Sequence, residues 1–129
     1  MRARSDGFTL LELMIVVVII GLLAAIGVPK FASSRERAFL ATMRSDLRNL
    51  ETAQEAYLHD QGTYYSGVIP NAALSFSPSA AVTVTLASVS TSGWQAIAQH
   101  SQTNKICAVF LGTAAALSPA TSEGVIACN

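Results

Sequence analysis

The chain has 129 residues, 51% hydrophobic and 12% charged, with eight basic and eight acidic side chains and a formal net charge of zero. That length leaves room for one small domain and a long anchoring helix, not for a second domain. The balanced charge offers no polyanion-seeking surface, so nucleic acid is an unsupported partner.

The first seven residues carry Arg2 and Arg4 and end at Gly7. From Phe8 to Val28 the chain is almost wholly apolar, and Glu12 is the only charge in that stretch. At 1.5 Å per residue the stretch spans roughly 31 Å as helix, about the thickness of a hydrocarbon core. A carboxylate at the centre of a membrane helix costs roughly 2.5 to 3.5 kcal/mol, which points to a partner for Glu12. By the positive-inside tendency Arg2 and Arg4 hold the short end in the cytoplasm, so everything after Lys30 faces the periplasm, where disulfides persist.

Pro29 removes one backbone hydrogen bond and crowds the carbonyl of Ala25, so a bend is expected there. With Gly21 and Gly27 nearby, the stretch from Gly21 to Pro29 is also the weakest part of the helix by propensity. The helical period continues beyond it: Leu40, Met43, Leu47, Leu50, Ala53, Tyr57 and Leu58 form one apolar stripe. Arg35, Glu36, Arg37, Arg44, Asp46, Arg48, Glu51 and Glu55 are assigned to the opposite, solvated face. Asp60-Gln61-Gly62 ends the helix, with Gly62 free to turn left-handed. A helix from Phe8 to about His59 measures roughly 78 Å, longer than a small globule needs.

Thr63 to Ala80 reads as an irregular loop rich in Tyr, Ser, Pro and Asn. Ala81 to Val89, Trp94 to Gln99 and Ile106 to Leu111 then alternate or run apolar between polar turns, which predicts a three-stranded antiparallel meander covering the helix stripe. The tail from Gly112 onward is small and flexible in character.

The run Gly7-Phe8-Thr9-Leu10-Leu11-Glu12-Leu13-Met14-Ile15-Val16-Val17-Val18-Ile19-Ile20-Gly21 closely resembles the N-terminus of type IV prepilins and of the related type II secretion pseudopilins; Pro29 extends the resemblance to about Phe31. The resemblance implies an α+β pilin fold, a long N-terminal helix packed on a small antiparallel sheet with a C-terminal disulfide loop. It divides the chain into a leader at 1–7, a membrane and filament-core helix at 8–29, and a periplasmic or extracellular domain at 30–129. It implies cleavage between Gly7 and Phe8 by a membrane-embedded prepilin peptidase, N-methylation of Phe8, and a kink at Pro29. It also implies that Glu12 neutralises the freed amine of Phe8 on a neighbouring copy, so that the chain forms a homopolymer driven by an assembly ATPase. The subunit is then first a single-pass inner-membrane protein and later part of an extracellular pilus. Two other readings share this N-terminus: a pseudopilin, which forms a periplasmic piston, and a minor pilin that binds a ligand at a filament tip.

Cys107 and Cys128 are the only cysteines. An even count in a periplasmic domain favours a bridge between them, with two free buried thiols as the alternative. His59 and His100 lack close Cys, Asp or Glu groupings at metal-ligand spacing. Asp60 and Glu123 make only a weak case for calcium, so no metal and no cofactor is expected. Trp94, Tyr64, Tyr65 and Phe110 are read as packing aromatics before stacking platforms. Ser118 to Ser122 is read as a flexible exposed loop, with O-linked sugar as the alternative. No phosphate loop, nucleophile elbow, zinc motif or acid–base pair appears, so no enzyme activity is expected.

Overall fold

The computed structural model describes residues 7–129; the leader arginines Arg2 and Arg4 lie outside the described residues. The chain divides into two compact units, Met1–Arg35 and Glu36–Asn129. Helix α1, Leu10–Gln61, contributes to both. It starts two residues later than the apolar run predicts because Thr9 acts as its cap. The helix continues through Pro29 without interruption. At its far end Gly62 donates to Leu58 O at 2.8 Å and adopts φ +71°, the left-handed stop expected from the sequence.

In the first unit the apolar side chains from Leu10 to Phe31 all point to solvent, none of them buried. This is one helix long and apolar enough to cross a membrane.

In the second unit β1 (Val82–Val89), β2 (Gly93–His100), β3 (Ile106–Gly112) and β4 (Ala127–Cys128) form an antiparallel sheet in the order β1-β2-β3-β4. The meander is present, and the tail adds a fourth strand that the sequence reading left out. β4 is two residues long and pairs Cys107 with Cys128 and Ala108 with Ala127, too short to leave an alternation pattern. Met43, Leu47 and Leu50 from α1 join Val82, Val84, Trp94, Ala96, Ala98, Cys107 and Val109 in one core. An irregularity between Leu86 and Ser88 shifts the β1 register. The extra residue restores the inward parity of Val89, which pairs with Trp94 and packs on the same core, as a β-bulge does.

The other sheet face is covered as well. Ala108 and Phe110 are buried with Ala120 and pack against Ile97, Leu117 and Ala127. The segment after β3, expected to be loose, is therefore fixed over the sheet: Gln95 Nε2 donates to Ala115 O at 2.6 Å, Gly112 N to Glu123 Oε1 at 2.8 Å and Gly124 N to Phe110 O at 2.9 Å. Gly112 turns the chain here with φ +65°, and a Cβ at this position would collide with the Ser92 carbonyl. Cys107 and Cys128 are joined by a disulfide that closes the segment. Small residues suggest looseness, but they also allow the close approach to the sheet that orders this segment.

Two helix residues also differ from the expected pattern. Asp46, assigned to the solvated face, is 3% exposed; its carboxylate accepts from Ser79 N at 2.9 Å and Ser79 Oγ at 2.8 Å. Burial is tolerated because both oxygens are satisfied. Glu51 is half-buried, and its Oε1 has no hydrogen-bond partner.

Candidate functional site

The Gly7–Phe8 peptide lies before α1, in exposed chain without regular secondary structure, and Phe8 is 85% exposed. A peptide bond outside the helical hydrogen-bond ladder is open to a protease, because no local unfolding is needed first.

Thr9 and Glu12 form a reciprocal cap. Thr9 N and Thr9 Oγ1 donate to Glu12 Oε2 at 2.9 and 2.8 Å, and Glu12 N donates to Thr9 Oγ1 at 3.2 Å. This is the Thr-x-x-Glu capping box, which satisfies orphan amides at the first helical turn. The four-residue spacing Thr9-Leu10-Leu11-Glu12 carried the signal, but the sequence reading treated Glu12 as unmatched. The box holds the carboxylate at the N-terminal end of α1, against Thr9, the residue that follows Phe8. Pro29 is inside the exposed helix.

The remaining candidates have local partners. His59 Nδ1 lies 3.1 Å from Asp60 Oδ1. His100 is 7% exposed, stacks on Phe39 with ring centroids 4.2 Å apart, and its Nδ1 accepts from Gln102 N at 3.1 Å. Glu123 is occupied in holding Gly112. No group of three or more His, Cys, Asp or Glu that could hold a metal occurs among the described residues.

Trp94 is fully buried in the core. Tyr64 OH donates to Glu55 Oε1 at 3.0 Å, and burial, reinforced by Glu55, pushes its phenol up. Gln54, which the sequence reading passed over, is fully buried; it receives Tyr65 N at 2.8 Å and donates to Tyr65 O at 2.9 Å. Those two bonds fasten the loop after α1 to the helix. A polar residue inside an apolar stripe was the available clue.

Residues 2–28 match the family model described as the prokaryotic N-terminal methylation motif. The chain is 44% identical over 61 residues to the type IV major pilin protein PilA of Myxococcus xanthus, covering 47% of this chain and 28% of that protein. It is 43% identical over 63 residues to the type II secretion system core protein G of Pectobacterium carotovorum, covering 49% and 40%. It is also 43% identical over 60 residues to the type IV major fimbrial protein FimA of Dichelobacter nodosus, covering 46% and 38%. In each case the match spans less than half of the relative's own length. The chain thus carries a prepilin-type N-terminal methylation motif on an α+β fold, with similarity to both type IV pilins and type II secretion pseudopilins over about half its length.

Proposed function

We propose that this chain is a structural subunit of a type IV pilus, cut between Gly7 and Phe8, methylated on Phe8 and polymerised through its apolar N-terminal helix. The observation that carries the reading is the exposure of that helix: Leu10, Leu11, Leu13, Val17, Val18, Leu22 and Leu23 are each at least 60% exposed. A contiguous apolar surface of this extent needs lipid or another protein around it. Before assembly, the inner membrane supplies the cover. In the filament, neighbouring copies of the same helix supply it.

Glu12 is assigned the contact that sets register. Two opposite charges attract strongly in a low-dielectric bundle, and either alone is badly solvated. The capping box keeps the carboxylate at the helix start, where a neighbouring copy's Phe8 amine could meet it. The chain acts as a substrate of the peptidase and methylase, with no catalytic role of its own.

The similarity to core protein G supports a second reading, a pseudopilin of a type II secretion system. Deleting the gene distinguishes the two. Loss of surface fibres whose main band begins with methylated phenylalanine supports the pilus subunit; a protein-secretion defect with fibres retained replaces it with the pseudopilin.

A further inference from the structure

Arg37, Arg44, Arg48, Glu51 and Glu55 share one meridian of α1. At about 100° per residue, all five fall within about 40° of Arg37, whereas Met43, Leu47, Leu50 and Gln54 are centred about 110° further round. The stripe therefore runs beside the sheet-packed face. Its charges are segregated, three guanidinium groups and then two carboxylates. Arg44 and Arg48, four residues apart, are like charges where an isolated helix favours opposite ones.

All three arginines are exposed. Among the described residues the ion pairs are His59–Asp60 and Lys105–Glu36, so none of the three is salt-bridged; Arg48 only attracts Glu51 from the next turn. Arg44, Arg48 and Glu51 also line a cavity of about 280 Å³ whose far wall is Gly124, Val125 and Ile126. Glu51 Oε1 is buried without a partner, and Val125 at the rim is 55% exposed.

We propose that this stripe is a contact between copies of the chain, in which the Arg37–Arg44–Arg48 block of one copy receives Glu55 and Glu51 of another displaced along the helix direction. The inference rests on the filament reading and names a second contact, separate from the apolar helix. Charge complementarity selects the occupant. A polyanion or an anionic lipid surface laid along the stripe meets two carboxylates directly after the arginines. A second copy turned to face the stripe and displaced along the helix direction offers acids to the bases, and repeating that screw operation builds an open heterologous array. Exposed ion pairs contribute little singly, but like charges forced together are penalised far more, so the arrangement mainly selects register.

The test is made on the full chain in its own host. Arg44→Glu, Arg48→Glu and Glu55→Arg are each expected to lower sheared-filament yield at least about tenfold, with normal amounts of processed subunit in the membrane. Combining Arg44→Glu with Glu55→Arg restores filaments. The neutral variants Arg44→Gln and Glu55→Gln keep the test open where a reversal disturbs folding; they lower yield and flatten its dependence on salt.

Wild-type yields from the single reversals, or no rescue by the combination, overturn the contact and leave the polymer reading standing. Reversals that only weaken binding to phosphatidylglycerol vesicles, with filaments unchanged, overturn it in favour of lipid. Absence of filaments from the unsubstituted chain overturns both.

Discussion

Glu12 is set in an apolar run and Glu51 beside Arg44 and Arg48, and these neighbours give the two carboxylates different tasks. Glu12 is hydrogen-bonded by Thr9, so its orientation is set within the chain, and the proposed filament contact uses its charge. Glu12→Gln is expected to keep insertion and cleavage but abolish filaments, measured as processed subunit in membranes against sheared fibre yield; normal fibres contradict the assigned role. At Glu51 burial raises the carboxyl above the ordinary 4.5, with Arg48 opposing. A raised native value means that the favourable contribution is complete below the unfolded glutamate value and is lost as pH rises through the native one. At neutral pH the fold carries a poorly solvated carboxylate. Glu51→Gln should therefore melt higher than the parent at pH 7 in detergent, with the gap closing below about pH 4.5; a lower melting temperature at pH 7 contradicts this.

The helix, the loop after it and the final segment are joined by a few specific bonds. Gln54 satisfies both backbone groups of Tyr65 from inside the core. Gln54→Ala leaves those groups unpaired, and a loss of about 1–3 kcal/mol is expected, read from denaturant unfolding; an unchanged midpoint means that water replaces the amide. The Cys107–Cys128 bridge closes a sequence separation of 21. Replacing both cysteines by Ala should cost about 3 kcal/mol in the loop-entropy account and expose the segment after Gly112 to proteolysis. Reduction of the parent should add about 2 Da to the mass, one hydrogen per sulfur. Protease resistance without the bridge would show that the hydrogen bonds of Gln95, Gly112 and Gly124 hold the segment alone.

At the scale of the molecule, the exposed apolar helix and the closed sheet domain make opposite demands on solvent, and a polymer with the helices inside and the sheets outside meets both. Filaments with this chain as the main band and methylated Phe8 at its N-terminus are the expected result. Recovery of the processed chain only as dispersed subunits from fibre-bearing cells would contradict it.

The sequence alone determined the long helix, its exposed apolar half, the stop at Gly62 and three strands, because hydropathy period and turn residues are local properties. It also marked Glu12, because a lone charge in an apolar run is visible without coordinates, while Gly7 and Phe8 were marked by the resemblance of the run that begins there. Only the tertiary structure decided the burial of Asp46 under Ser79, the anchoring of Tyr65 by Gln54, the fourth strand and the ordering of the final segment. Each depends on a partner distant in sequence, and a polar or small residue does not announce burial until the group that satisfies or covers it is in place.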